Sequence, residues 1–149
     1  MASPQTKPLV KLIEAVRAGA SEMRRISEVT NREFGLSAAL RDVLDQLGRE
    51  GPRTVPDMAR AFGVSRQHVQ QCVDRLGDRR LVSTRENPAH RRSSLIALTP
   101  DGTRLMSEIG RQEKAILERL EADMQGESID AAASVLNRFS RVLATARRP

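Results

Sequence analysis

The sequence has no tryptophan and no tyrosine, and its only aromatic rings besides histidine are Phe34, Phe62 and Phe139. Modules that hold single-stranded nucleic acid stack bases on aromatic side chains, so this scarcity argues against an RNA-stacking function. Cys72 is the single cysteine, which excludes an intrachain disulfide and fits a reducing cytoplasm. No apolar run approaches a membrane span, and the opening "MASPQTKPLV" lacks the apolar core of a signal peptide. The expectation is a cytoplasmic chain with no membrane partner.

Catalytic and metal signals are equally sparse. The two histidines, His68 and His90, have no second His or Cys at ligand spacing, whereas zinc wants three or four ligands. No glycine-rich phosphate loop follows a strand, and no G-x-S-x-G elbow occurs. The carboxylates are scattered over helix surfaces, where solvation or i,i+4 pairing is the ordinary role. We expect no enzyme, no cofactor and no metal.

What is present is enough for a core and more than enough positive charge. The 149 residues are 39% hydrophobic and 30% charged, which suits one compact domain or two small lobes. Net charge is +6, pointing to an anionic partner, nucleic acid or a membrane surface. Only three of the 25 basic residues are lysines. Arginine suits bidentate phosphate and guanine contacts. Its excess runs along the whole chain, however, and genome composition accounts for much of it.

Apolar spacings of three and four predict a helix over residues 8–32, through Leu9, Leu12, Ile13, Val16, Ala20, Met23 and Ile26. Ser37 can cap a second helix, "SAALRDVLDQLG", and Thr54 a short third, "TVPDMARAFG". Ser65 can cap a fourth, "SRQHVQQCVDRLGDRR". In it Val69, Cys72, Val73 and Leu76 form one buried stripe. "LVSTRE" and "SLIALT" read as strands of a hairpin around the tip "NPAHRRS". Thr99, Pro100 and Asp101 start a fifth helix to about residue 124, and Ser128 caps a last one. Residues 37–99 can close their own core. The flanking helices, 8–34 and 100–146, are long and apolar on one stripe. They want partners, most simply the same helices of a second chain.

Two helices joined by the tight "FGVS" turn make a helix-turn-helix pattern, whose second helix presents its start to base edges in the major groove. That start needs donors and acceptors, and Arg66, Gln67, His68, Gln70 and Gln71 supply them. Ser65 and the helix N-terminus suit a phosphate. A polar face alone is an ordinary surface feature. The charge distribution adds weight: over residues 60–92 eight arginines face three carboxylates, a surplus of five. An arginine at the hairpin tip, Arg91 or Arg92, can enter a narrow minor groove. Gln67, His68 and Gln71 are candidate base contacts, Arg66 a base or phosphate contact, and Arg53, Arg75 and Arg85 phosphate contacts.

These segments together resemble the winged helix-turn-helix core of the MarR family, the multiple antibiotic resistance regulators. The resemblance rests on "MARAFGVSRQHV", "VDRLGDRRLV", the basic "HRRS" and the "LTPDG" after it, and the element order extends it from about residue 8 to 146. It implies a mainly α protein with a small two- to three-stranded β-wing and terminal dimerisation helices. It also implies a homodimeric transcription factor on pseudo-palindromic double-stranded DNA, commonly a repressor released by a small-molecule effector. One position departs from the family. His90 stands where an aspartate usually precedes the wing arginine in a D-x-R pattern. A carboxylate would orient Arg92 by charge-assisted hydrogen bonds, and histidine cannot.

An effector pocket would fall where terminal and DNA-binding helices join, with Met23, Ile26, Phe34, Leu40, Val43 and Met106 as candidate walls. Ordinary packing explains each of these singly. Cys72 invites a redox role, but its place on the buried stripe suits a small core hydrophobe. A different class of function, a winged helix used for protein–protein interaction, is weighed against the localised charge, since fold does not fix function.

Overall fold

The computed structural model describes residues 6–88 and 92–146. Along the chain run α1 (Thr6–Glu33), α2 (Ala38–Glu50), β1 (Arg53–Thr54), α3 (Val55–Phe62), α4 (Arg66–Asp78), β2 (Val82–Arg85), β3 (Leu95–Leu98), α5 (Pro100–Asp123) and α6 (Ile129–Ala146). The chain divides into two compact units, one reaching Gln112 and the other running from Glu113.

Local chemistry sets the helix ends of the first unit. Ser37 Oγ accepts from Leu40 N–H, Thr54 Oγ1 from Asp57 N–H and Ser65 Oγ from His68 N–H. Each side chain satisfies a donor that the first helical turn leaves unpaired. Thr99 does the same for α5, its Oγ1 accepting from Gly102 N–H at 3.0 Å. α3 stops at Gly63, whose φ of 67° closes the tight turn into α4. The turn and the caps are those the sequence predicts.

The sheet is antiparallel in the order β1-β3-β2, with Val82 opposite Leu98, Arg85 opposite Leu95 and Arg53 opposite Ile96. β1 is the strand that periodicity does not locate, because two residues are too few to carry an alternating pattern. It edges the hairpin and leads directly into α3, which fixes α3 against the sheet.

The core gathers α2, α3, α4, the hairpin and the first half of α5. Val43, Leu44, Met58, Val69, Leu76 and Ile109 have almost no exposed surface. The stripe Val69, Cys72, Val73 and Leu76 is the buried face of α4. Gly102, in the first turn of α5, lies so close to the Leu81 carbonyl oxygen that an added Cβ would overlap it. The first turn of α5 therefore lies directly against the backbone of Leu81, between α4 and β2, with the Leu98 side chain beside it. α1 enters the unit through its last turn, where Thr30 and Asn31 are buried and Phe34 packs on the core.

The second unit is the rest of α5 and α6, with Gly126 at φ 89° in the turn between them. Among the described residues of α6, only Phe139 is even half-buried. Leu117, Leu120, Met124, Ile129, Val135, Leu136, Val142 and Leu143 are all exposed. No described helix is long and apolar enough to cross a membrane.

Candidate nucleic-acid interface

α4 shows two faces. The stripe above is buried, whereas Arg66, Gln67, His68, Gln70, Gln71 and Arg75 are exposed. The amphipathic spacing forces this split: burying one stripe turns the remaining positions outward. The Ser65 cap starts the helix at Arg66, so Arg66 and Gln67 occupy its first turn with His68.

A concavity of about 510 Å³ opens between the start of α3, the start of α4 and the wing. Its walls include Arg66, Gln67, Gln70, Thr84 and Arg92, with Pro56 at one side. The fold thus brings together four residues singled out by sequence: Arg66, Gln67, Gln70 and Arg92. Arg66, Gln67 and Arg92 make no side-chain hydrogen bond or ion pair with another described residue, and Gln70 donates to Asp74 Oδ1 at 2.8 Å. With its amide nitrogen donating to Asp74, Gln70 retains its carbonyl oxygen as an acceptor. Two guanidiniums facing one hollow, with amides between them, can take phosphates and base edges.

The other candidates lie elsewhere. Gln71 and Arg75 are exposed further along α4. Arg53 is half-exposed on β1, its Nε 3.1 Å from the Glu50 carboxylate. Arg85 ends β2 and lines a different hollow of about 500 Å³, with Leu47, Pro52, Leu98, Thr103 and Met106. Ser65 Oγ accepts the capping bond from His68 N–H, which leaves its hydroxyl proton to donate to a phosphate. Arg91 and His90 lie outside the described residues, so the departure from D-x-R falls there too; Arg92 itself sits in an exposed turn.

The arginine surplus is partly consumed internally. Arg60 pairs with Asp57 at 3.3 Å. Arg79 donates Nη1 to the Gly35 carbonyl and Nη2 to the Phe34 carbonyl, each at 2.9 Å. Counting over residues 60–92 includes both in the footprint: Asp57 falls just outside that stretch, and the carbonyls that hold Arg79 lie 44 and 45 residues away. It also misses Thr84 and Pro56 as walls of the hollow, although the strand assignment of "LVSTRE" was the available signal for Thr84.

Two polar details belong to the same region. Thr54 Oγ1 donates to Asp57 Oδ2 at 2.7 Å while accepting from Asp57 N–H. This hydroxyl, and then the guanidiniums of Arg60 and Arg53, hold the Asp57 carboxyl below the ordinary aspartate range against a smaller desolvation cost. Cys72 behaves oppositely. Burial pushes its thiol up, Arg75 opposes the rise and Asp42 adds to it. At neutral pH the sulfur is a protonated core group, not a reactive thiolate.

The candidate effector walls are dispersed. Met23 and Ile26 are exposed on α1, Leu40 and Val43 are in the core, and Phe34 and Met106 pack on its margin. Val43 and Met106 line separate hollows, the former beside Phe62, His68 and Cys72. Among the described residues no group of three or more His, Cys, Asp or Glu could hold a metal ion.

A helix pair joined by a glycine turn, a three-stranded wing and an exposed polar recognition face define a winged helix-turn-helix, a DNA-binding fold. Comparison with known proteins then gives the family. The MarR family model matches residues 34–93. An uncharacterised protein of Mycobacterium tuberculosis, Rv2011c, is 31% identical over 141 residues, covering 95% of this chain and 97% of its own. A crystal structure of the MarR family transcription regulator SP03579 superposes with a TM-score of 0.82 at 25% identity, over 96% of this chain and 97% of that one. The reduced, DNA-bound form of AbfR superposes with a TM-score of 0.63 at 18% identity, covering 98% and 100% of the two chains. The structure of Bordetella bronchiseptica BpsR, a protein whose DNA binding is regulated by 6-hydroxynicotinic acid, gives a TM-score of 0.64 at 23% identity and covers 89% and 98%. The chain belongs to the MarR family, whose members are transcription regulators that bind DNA and commonly act as dimers.

Proposed function

We propose that the protein is a homodimeric, sequence-specific duplex-DNA-binding repressor whose grip on a pseudo-palindromic operator is relieved by a small-molecule effector. The observation that carries this is the hollow shared by Arg66, Gln67, Gln70 and Arg92. Each subunit lays the first half of α4 in the major groove, where Gln67, His68 and Gln71 read base edges and Arg66 takes base or phosphate. The wing, through Arg92 or Arg91, reaches the adjoining minor groove. Ser65, Arg53, Arg75 and Arg85 serve the backbone, Arg53 and Arg85 from outside the hollow.

Residues 37–99 are the DNA-binding part, and 8–34 with 100–146 supply the dimer. The exposed leucines, valines and methionines of α1, α5 and α6 support this, because a lone chain leaves them in water. Two copies of α4 then read half-sites about one helical turn apart. Relief by an effector draws its support from BpsR; a ligand acts here only by preferring a spacing of the two α4 helices that DNA cannot accept. DNA selection followed by footprinting tests the proposal. A protected inverted repeat near a neighbouring gene is the expected result. Binding that ignores sequence, or no duplex binding at all, would instead favour a protein-interaction role for the winged helix.

A further inference from the structure

The two ends of α4 are held very differently. Its start is capped by Ser65 and otherwise open to the surface. Its end is bound on two sides. On one side α1 closes with Leu36 N–H bonded to the Asn31 carbonyl at 2.8 Å and Gly35 N–H to the Arg32 carbonyl at 3.0 Å, with Gly35 at φ 63°. That closure leaves the Phe34 and Gly35 carbonyls at the negative end of a 28-residue helix. Both accept from the single guanidinium of Arg79, the residue that ends α4. On the other side the Arg80 and Leu81 carbonyls accept from Thr99 Oγ1 at 2.6 Å and Thr99 N–H at 3.1 Å, at the start of α5.

We propose that Arg79 is a positioning residue for DNA recognition: its planar fork ties the end of α1 to the end of α4 and so sets the angle at which the open start of α4 meets the groove. It does not serve as a phosphate contact, although it belongs to the basic stretch. The inference rests on the DNA-reading role proposed above. Its physical basis is the fork itself. Two donors fixed in one plane meet two consecutive carbonyls, so a shift of α1 against α4 breaks both bonds at once. An ammonium keeps the charge at position 79 without that rigidity.

The test uses the full chain with Arg79→Lys and Arg79→Gln, read by amide hydrogen exchange at residues 34–36 and by affinity for a selected operator and a random duplex across salt concentrations. Faster exchange is expected in both variants, with operator preference over random duplex reduced about tenfold, as for lost bonds to a charged group. The Lys variant should keep the wild-type affinity for random duplex. Unchanged exchange and unchanged preference in the Lys variant would overturn the proposal. So would a Gln variant whose salt slope falls by about one with exchange unchanged, the behaviour of a phosphate contact. If the wild-type chain binds no duplex, the DNA-reading role fails and the positioning role with it, while exchange still reports whether Arg79 ties the two helices.

Discussion

The winged core and the helical flanks spend their apolar residues in opposite ways. In the core, Leu44, Met58, Val69 and Leu76 are wholly buried by residues of the same chain. In the flanks, Met23, Leu117, Val135 and Val142 remain more than half exposed. Fully burying one such side chain is worth roughly 1.5–3 kcal/mol. The core therefore carries its own stability, whereas the flanks leave apolar surface in water. The comparison also separates two kinds of sequence signal: a stripe at helical spacing states that a face will be covered, but not whether the cover is the same chain.

The largest effect should come from the core. Leu44→Ala should cost about 3 kcal/mol of unfolding free energy, measured by denaturant titration, because it leaves a cavity at a site with no exposed surface. A cost below about 1 kcal/mol would mean the core is looser than its burial implies.

The flanks should respond through assembly. Leu120→Glu combined with Leu143→Glu, two exposed positions, should convert a dimer to a monomer in sedimentation and remove the concentration dependence of the melting temperature. A dimer unaffected by both charges would place the interface elsewhere.

A smaller, stabilising change is expected at the end of α4. Arg80 N–H bonds the Gly77 carbonyl at 2.8 Å and Leu81 N–H the Leu76 carbonyl at 2.9 Å, a helix closure that puts Arg80 at φ 58°. Only the backbone of Arg80 takes part, so Arg80→Gly should relieve about 1 kcal/mol of left-handed strain and raise the melting temperature.

The smallest effect concerns the cap of α3. Asp57 has a lowered folded pKa, so its contribution is present above the unfolded value and is lost as pH falls through the folded one. Stability should drop below about pH 4 in the wild type, and Asp57→Asn should remove that component of the acid transition. An identical acid profile in the variant would show that the Thr54 hydroxyl caps α3 without the carboxylate.

Much of this architecture is legible in the sequence because it is local. Ser37, Thr54 and Ser65 cap the helices their positions predict, and Gly63 makes the turn. The grouping of Arg66, Gln67 and Gln70 follows from helical spacing, and Arg92 joins them through the hairpin. Illegible parts depend on distance along the chain. β1 is defined only by its pairing with β3. Arg79 reads as free positive charge until the carbonyls of Phe34 and Gly35 arrive beside it. Arg85 reads as a phosphate contact close to the wing, yet it faces a separate hollow with α2 and α5. Of the six candidate effector walls, Val43 and Met106 line separate hollows, since hydrophobicity at a helix joint does not specify which faces meet.

The most direct test of DNA recognition is fluorescence anisotropy of the wild type, Arg66→Ala and Arg92→Ala on a selected operator and a random duplex over a range of salt. The expected result is a steep fall of wild-type affinity with salt. Each variant should lose either about 1–3 kcal/mol on the operator, as a base contact does, or about one unit of salt slope on both duplexes, as a phosphate contact does. Wild-type affinity and slope retained by both variants would contradict the assignment of the hollow between α4 and the wing as the DNA-reading surface.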